Sequence, residues 1–354
     1  MRKVHRLFFL AVTLLFTTAS PAQQDNVMFV HYINVGQAAS VLLEFPCGAI
    51  LIDAGAQDDS YHKALIDYLG KFFQRRKDLD STIALLLITH PHIDHDEALY
   101  DVAQTFRIDR YIDDGLRVGS GRVNQTYMED SAAAAGILYH SYSFDEITKN
   151  GNHKGRTDSL IDPVNCSNGD PKIILYGGQF EHKPDDWTAA DFSNYNNHSL
   201  VVKVLFGKAS FLFTGDLETR GIQSIVDEYA NTHELDVDVL MVGHHGAANA
   251  TTDDYLDAVT PDYAVISCGE WDFGKDSKNP FTTFAYGHPR VNIINMLERH
   301  IKGKRAETIR VKAADGSKDF RLIDVDKRIY ATPWDHNIII RATTAGQYTV
   351  TTDN

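Results

Sequence analysis

The most constraining stretch of this sequence is the histidine-rich run THPHIDH at residues 89–95, which directly follows the apolar run TIALLLI. An apolar run of this length, bounded by polar residues, predicts a buried strand. Beyond it stand four side chains that can bind a metal ion: His90, His92, Asp94 and His95. Imidazole and carboxylate together suit zinc or manganese and leave coordination positions open for water. The run therefore predicts a metal site at the end of a buried strand.

Other polar groups stand at strand ends in the same way. Any one of them alone is most simply an ordinary strand-to-loop turn, but their joint occurrence strengthens the metal interpretation. They are Asp53 after AILI, Asn196, Asn197 and His198 before SLVV, Asp216 after FLFTG, and His244 and His245 after VLMVG. Because loops at strand ends carry the functional groups of rigid scaffolds, we expect these groups to converge on one cleft.

Short apolar strands in two batches, with amphipathic helices between them, predict an α+β fold, a four-layer αβ/βα sandwich of two packed sheets. Residues 107–170 show no clear core strand, and their composition predicts long loops with one Ala-rich helix near 129–138. The tail from Glu307 is expected to form strands that complete the second sheet. The main predicted strands are 27–34, 40–45, 49–55, 171–176, 199–207 and 209–216, and a helix is predicted at 61–76.

The first 22 residues have the order of a secretory signal. Basic residues precede an apolar run at 7–16, and the small residues of TTASPA follow it. The apolar run is short for a bilayer span, although an uncleaved anchor is the alternative. We therefore predict a signal peptide at 1–22 and one catalytic domain at 23–354. The mature chain is expected to be periplasmic or secreted and to have no membrane span.

The three cysteines, Cys47, Cys166 and Cys268, are too few and too far apart for a cysteine metal site or a disulfide scaffold. Export would allow one pair to form a disulfide and would leave one free thiol. The interpretation that we favour is that all three are small buried side chains.

The chain is acidic, with a formal net charge of −14, and loss of the cations Arg2, Lys3 and Arg6 with the signal changes it to −17. Such a field repels polyanions at long range. We therefore expect no stable nucleic-acid complex. A small molecule or a short oligonucleotide is the expected substrate, since bound metal ions provide a local positive centre. The sequence does not define the oligomeric state.

At these motifs the chain resembles the metallo-β-lactamase-fold hydrolases. Within them it looks most like the ComEC-like branch, which includes the extracytoplasmic nuclease-type domain of bacterial DNA-uptake channels. The matching stretches are INVGQ (33–37), LIDAG (51–55), THPHIDH (89–95), NNHSLVV (196–202), FTGDL (213–217), VGHHG (242–246) and YGHP (286–289).

The resemblance implies two divalent ions, Zn²⁺ or Mn²⁺. It places His90 and His92 on the first ion, Asp94 and His95 on the second, and Asp216 between the two. His244 would complete the second ion's ligands, and His245 is the alternative because the doublet permits either register. We favour His244, since it is the first residue after the strand and Gly243.

The sequence departs from the family pattern where the first ion's third histidine usually stands. That stretch is NNHS here, and His198 either binds the ion or packs beneath the sheet. Ala38 replaces the last glycine of a Gly-Gln-Gly turn, and Glu97-Ala98 replaces the glycine after the metal motif. The last two differences concern the rim of the cleft, so they bear on the substrate more than on the metal.

The function that we favour is an exported di-metal hydrolase that cleaves phosphodiester bonds, and the ligand set predicts its mechanism. Two divalent ions close together lower the pKa of a bridging water, which attacks as hydroxide, and they stabilise the charge that develops. Asp94 and His288 are the predicted catalytic residues, and Asn196 and His288 the predicted substrate contacts. Asp53 is expected to hydrogen-bond a histidine ligand or to hold a strand end. For His288 the alternative is a purely structural role in a turn.

Two other functions are compatible with the same residues. The first is hydrolysis of a lactone, a β-lactam or another ester, because the ligands do not choose between carbonyl carbon and phosphorus. The second is a catalytically silent protein that uses the cleft as a receptor.

Overall fold

Two β-sheets packed face to face form the centre of the computed structural model, which describes residues 26–276, 278 and 280–353. The predicted signal at 1–22 lies outside these residues. Within them, the first sheet has eight strands in the spatial order Tyr348–Thr352, Ile338–Thr343, Val27–Tyr32, Val41–Phe45, Gly48–Ile52, Leu85–Leu87, Arg110–Asp113 and Leu138–Ser141. The second has six, in the order Ile329–Ala331, Tyr263–Ile266, Val239–Met241, Ala209–Phe213, Val201–Phe206 and Pro171–Gly177.

Three buried apolar layers follow from the alternation of side chains along the strands. In Val41–Phe45 every second residue faces the other sheet, and Leu43 packs there with Val202. Leu42 points the opposite way, onto the helix Asp59–Arg75. The outer face of the second sheet is covered likewise by other helices. The order helix, sheet, sheet, helix confirms the predicted four-layer sandwich.

The helices lie outside the two sheets and in the loops between strands. They are Asp59–Arg75, Ile93–Asp96, Leu99–Thr105, Arg122–Ala135, Phe144–Thr148, Ala189–Ser193, Thr219–Glu228, Asp253–Val259, Thr283–Tyr286, Val291–His300 and Thr332–Asp335. Single 3-10 turns form at Lys77–Leu79, Tyr195–His198 and His244–Gly246. A long hairpin, Lys304–Gly316 with Asp319–Lys327, stands apart from both main sheets. A short ladder joins Thr82–Ile83 to Arg107–Ile108.

The parallel strands of both sheets end at a common edge. In the first sheet Gly48–Ile52 runs parallel to Leu85–Leu87. In the second, Ala209–Phe213, Val239–Met241 and Tyr263–Ile266 run parallel to one another. The residues that follow these strands include the polar groups singled out in the sequence, so the topology delivers them to one cleft.

Two sequence-based expectations about the fold are wrong. Residues 107–170 do contain a core strand, Arg110–Asp113, and the half-exposed edge strand Leu138–Ser141 follows it in the first sheet. The apolar run of Arg110–Asp113 is too short to stand out, and its burial comes from neighbouring strands and helices. The tail adds only Ile329–Ala331 to the second sheet. Its last two strands join the first sheet, where Ile338–Thr343 pairs with Val27–Tyr32.

No helix in the described part of the chain combines the length and the apolarity that crossing a membrane would require.

A disulfide joins Cys47, in the turn before Gly48–Ile52, to Cys166, in the loop before Pro171–Gly177. The favoured interpretation of three free thiols is therefore wrong for this pair, whose partners are 119 residues apart in sequence. Only the fold brings them together. Cys268 is a buried free thiol.

We expect the double substitution of Cys47 and Cys166 by alanine to lower the free energy of unfolding by about 2–4 kcal/mol, because a cross-link over a long loop restricts the unfolded chain. Urea unfolding with and without reductant measures the change. Reductant should destabilise the native protein and the Cys268→Ala control, and should leave the double variant unaffected. A native protein that is insensitive to reductant would contradict the disulfide.

Candidate metal centre

Asp216 occupies the centre of the cleft, and a glycine places it there. Gly215 has a φ of +52°, and a Cβ at this position would lie 2.7 Å from Thr89 Oγ1. Glycine alone combines this backbone conformation with so close an approach. The loop after Ala209–Phe213 therefore packs directly on the histidine-rich turn, and the Asp216 side chain is only 3% exposed.

One group of possible ligands contains Asp94, His95, Asp216 and His245, whose ligand atoms all lie within 4.8 Å of one another. His95 Nε2 is 3.1 Å from Asp216 Oδ1, and His245 Nε2 is 3.2 Å from Asp94 Oδ2. Two carboxylates and two imidazoles around one point are a donor set that zinc and manganese accept.

A second group shares the same carboxylate. It consists of His90, His92 and Asp216. His90 is fully buried, and its Nε2 lies 3.1 Å from His92 Nδ1 and 3.8 Å from Asp216 Oδ2. Asp216 thus belongs to both groups, as a carboxylate between two ions would.

Hydrogen bonds orient the histidines of the first group. Asp53 Oδ2 accepts from His95 Nδ1 at 2.7 Å and from the Thr89 hydroxyl at 3.0 Å, while Asp53 Oδ1 accepts from the Thr89 amide at 2.8 Å. His245 Nδ1 donates to the Ser267 carbonyl at 2.7 Å. Both rings consequently turn Nε2 into the cleft, which is how partners around a metal site set ligand orientation. Asp53 thus hydrogen-bonds both the His95 ring and the backbone amide of Thr89 beyond the strand end, which are the two interactions expected of it.

The buried charges of the cleft depend on one another. Burial favours the neutral form of Asp216, but His95, His245 and His244 hold the pKa of this carboxyl well below its usual range. Burial likewise disfavours protonated His95, yet Asp216 and Asp53 raise the pKa of its ring well above the ordinary value. Divalent cations can take the place of these protons on the same nitrogen and oxygen donors. The residues present therefore fit two divalent ions.

The structure brings His245, and not His244, into the group with Asp94, His95 and Asp216. The preference for His244 rested on strand alternation, but the pair lies in a 3-10 turn in which His244 and His245 have φ values of +48° and +54°. His244 instead lies with Nε2 3.6 Å from Asp216 Oδ2 and Nδ1 3.4 Å from Glu218 Oε1. Because of this left-handed turn, the residue that reaches Asp94 and His95 is His245, one position later than predicted.

His198 lies away from both groups. Its Nδ1 accepts from the Phe180 amide at 3.1 Å, and its Nε2 donates to the Phe192 carbonyl at 2.8 Å. The ring packs among Phe180, Trp187 and Phe192. Because both nitrogens are bonded to the backbone, the structure supports the packing alternative and not ligation.

A cavity of about 220 Å³ opens above the two groups. Asn196 and His288, the predicted substrate contacts, line it. Burial and the neighbouring His245 and His244 lower the pKa of His288 well below its usual value, so the ring is neutral. Asn196 Nδ2 donates to Glu218 Oε1 at 2.8 Å.

The sequence-based prediction of the site did not include Gln37 and Glu218. Gln37 lines the cavity, and its Nε2 lies 3.0 Å from His288 Nδ1. It stands in the quoted motif INVGQ, which could have marked it. Glu218 follows Asp216 by two residues, and no pattern in the sequence distinguishes it from a surface acid.

We expect the metal-free protein to take up about two divalent ions per chain, and the His245→Ala variant to take up one fewer. His244→Ala is the matched control, since it removes the same ring next in sequence and should retain both ions. Calorimetric titration with zinc and with manganese measures the stoichiometry. Loss of an ion in His244→Ala but not in His245→Ala would restore the original register.

Comparison with known proteins extends this picture. The model of the metallo-beta-lactamase superfamily matches residues 33–123 and 130–270. ComE operon protein 3 of Bacillus subtilis (strain 168) is 34% identical over 112 residues, which are 32% of this chain and 12% of that protein. Competence protein ComA of Neisseria gonorrhoeae is 36% identical over 105 residues, 30% of this chain and 13% of that protein. The matched region thus spans only about an eighth of these relatives.

Solved structures of this fold also align with the chain. The metallo-beta-lactamase fold protein YhfI of Bacillus subtilis has a TM-score of 0.38 and 9% identity over 67% of this chain and 85% of that one. The short form of human tRNase Z has a TM-score of 0.35 and 14% identity over 67% and 91%.

The family match covers more than half of the chain and includes the residues of both ligand groups. The similarity to ComE operon protein 3 and to Competence protein ComA confirms the predicted resemblance to the ComEC-like branch. The chain belongs to the metallo-beta-lactamase superfamily and is a metal-dependent hydrolase.

Proposed function

We propose that the protein hydrolyses phosphodiester bonds in small molecules or short oligonucleotides. The observation that carries this proposal is the pair of ligand groups sharing Asp216 beneath a cavity whose described lining contains no lysine or arginine. Two divalent ions held there would activate a water molecule and polarise the scissile bond.

The absence of lysine and arginine among the described lining residues favours a singly charged reacting group. A phosphodiester carries one negative charge, which the ions can neutralise. A β-lactam or a lactone with a free carboxylate carries its charge away from the scissile bond, and a phosphomonoester dianion carries two charges; in both cases a fixed side-chain cation would best stabilise the charge that the ions do not neutralise. The neutral donors of the cavity are better suited to phosphoryl and sugar oxygens.

His288 supplies one of these donors through a chain of hydrogen bonds. The Thr283 hydroxyl donates to Gln37 Oε1 at 2.9 Å, so the Gln37 amide nitrogen faces His288 Nδ1 at 3.0 Å. His288 Nδ1 therefore accepts, and the ring proton is on Nε2. A neutral ring with a fixed N–H can stabilise a developing oxyanion without reorganisation. This supports the oxyanion contact proposed for His288.

The names of the relatives bear on the class of substrate. One of them is named Competence protein ComA and another ComE operon protein 3, and a third, Recombination protein 2 of Haemophilus influenzae, is 42% identical over 76 residues. A nucleotide-derived phosphodiester is consistent with those names. The formal net charge of −14 favours short strands over long polymers.

We expect the metal-loaded protein to hydrolyse bis-nitrophenyl phosphate and a short single-stranded oligonucleotide, and to leave a lactone and a β-lactam intact. Chelation should abolish the activity and zinc or manganese should restore it. Asp216→Ala should lower kcat/KM by about a hundredfold or more, the scale of a single electrostatic stabiliser. Parallel assays of the four substrates measure these outcomes.

Asp254→Ala is the control for this experiment, because it removes an exposed carboxylate that belongs to neither ligand group and does not line the cavity. Its activity should equal that of the native protein. Faster hydrolysis of the lactone or the β-lactam than of both phosphodiesters would reject the proposed bond. Metal binding without hydrolysis of any of the four would favour a receptor.

We further propose that the protein is exported. The basic, apolar and small-residue order of residues 1–22 supports cleavage by a signal peptidase. The Cys47–Cys166 disulfide is consistent with this, because such bonds form and persist in oxidising compartments.

Mass spectrometry of protein purified from its natural host should find residues 1–22 absent and Gln23 at the N-terminus, in the periplasmic or the extracellular fraction. The measurement compares intact masses before and after reduction, which also detects the disulfide. An intact chain that begins at Met1 in the cytoplasmic fraction would refute export.

A further inference from the structure

A second concave surface lies on the long hairpin, outside the metal cavity. We define the Trp271 groove by Trp271, Arg305, Arg310, Lys312, Pro333 and Trp334, which line a cavity of about 310 Å³. Lys312 Nζ stands 3.5 Å from the centre of the Trp271 ring, and Lys275 Nζ stands 5.3 Å from it. Trp334 Nε1 donates to the Lys312 carbonyl at 3.1 Å. This hydrogen bond holds the Trp334 indole next to Lys312.

The groove is positive on a strongly acidic protein. Its described lining contains three cations and one carboxylate, Asp335, which is buried and already paired with Arg305. Arg310 lies 3.9 Å from Asp324, and both side chains are about two-thirds exposed, so this contact is weak. Lys312 and Arg310 are therefore available to an anion, in a chain of formal net charge −14.

Packed residues connect the groove to one wall of the metal cavity. The Lys318 amide of the hairpin turn donates to the Phe284 carbonyl at 2.9 Å, and the Ala314 amide donates to the Pro289 carbonyl at 2.9 Å. The rings of Trp271, Phe320 and Phe284 follow one another at centroid distances of 5.9 and 6.4 Å. The helix that carries Phe284 also carries Tyr286, which lines the metal cavity and stacks on His288.

We propose that the Trp271 groove binds short single-stranded nucleic acid and leads the strand to the metal cavity, in contrast to the expectation from net charge alone that no stable nucleic-acid complex forms. Each nucleotide offers a planar base and one negative charge, and the groove offers indole rings with cations beside them. A duplex hides the faces of its bases, and an acidic polysaccharide or polyphosphate has no ring to stack. The inference rests on the proposed phosphodiesterase function and adds the substrate class and its binding site.

Tryptophan fluorescence can detect this binding directly. The chain has three tryptophans, of which Trp271 and Trp334 line the groove while Trp187 is 2% exposed. A thymidine oligonucleotide of about twelve residues should quench the fluorescence of the metal-loaded protein, and rising salt should weaken the effect. Heparin, a polyanion without bases, is the competing probe.

Two variants test the groove without touching the metal cavity. Trp271→Leu removes the stacking ring and Lys312→Glu reverses the central charge. Each should weaken oligonucleotide binding and raise the KM for its cleavage by about tenfold, the value of one stacked base. Hydrolysis of bis-nitrophenyl phosphate, too small to reach the groove, should be unchanged. Lys208→Glu makes the same charge change on an exposed turn before Ala209–Phe213, at the opposite end from the cleft, and should have no effect.

The outcomes separate this proposal from the one on which it rests. Quenching by heparin as strong as by the oligonucleotide, or equal losses in Lys208→Glu and Lys312→Glu, would overturn the groove as a base-binding site. Cleavage of both substrates that neither variant alters would also overturn it, while leaving the phosphodiesterase function intact. Specific quenching by the oligonucleotide, with no cleavage of either the oligonucleotide or bis-nitrophenyl phosphate, would support the groove and refute the phosphodiesterase function.

Discussion

The buried carboxylate of Asp216 is the group on which the cleft depends. A carboxylate removed from water is costly unless positive charge or hydrogen bonds compensate for it. His90, His95, His244 and His245 all place an Nε2 within 4 Å of its two oxygens. These histidines come from two loops, one after a strand of each sheet. Bound cations would complete the compensation, so stability and metal affinity are linked through this one side chain.

The surrounding scaffold holds the loops by contacts that leave no room for substitution. A Cβ at Gly55 would lie 1.7 Å from the Asp94 carbonyl oxygen, and the amides of Ala39 and Ala54 donate to the Asp94 and His95 carbonyls. The motif LIDAG thus supplies both Asp53, which orients His95, and the glycine that lets the metal loop pack against it. The same short stretch serves the fold and the chemistry.

The candidate metal ligands and the opposite wall of the cavity come from different segments of the chain. The ligands come from strand ends in the two packed sheets, where neighbouring side chains restrict them. The cavity wall comes from the segment that contains Thr283, Tyr286 and His288, which in turn packs on the long hairpin. Under the proposed phosphodiesterase function, changes in the hairpin would alter which substrate enters without changing the metal ligands. This division is how one fold supports different substrates.

The sequence by itself determined the four-layer fold, the family and most of the candidate ligands, because short apolar strands ending in His and Asp are local patterns. Local patterns failed wherever geometry came from distant residues. His245 rather than His244 lies with Asp94, His95 and Asp216 because a left-handed turn interrupts strand alternation. His198 is turned away by the backbone of Phe180 and Phe192. Tertiary structure alone decided the Cys47–Cys166 pairing, the strands at 110–113 and 138–141, and the place of Glu218. Each of these depends on contacts between segments far apart in the chain, which no local pattern of side chains records.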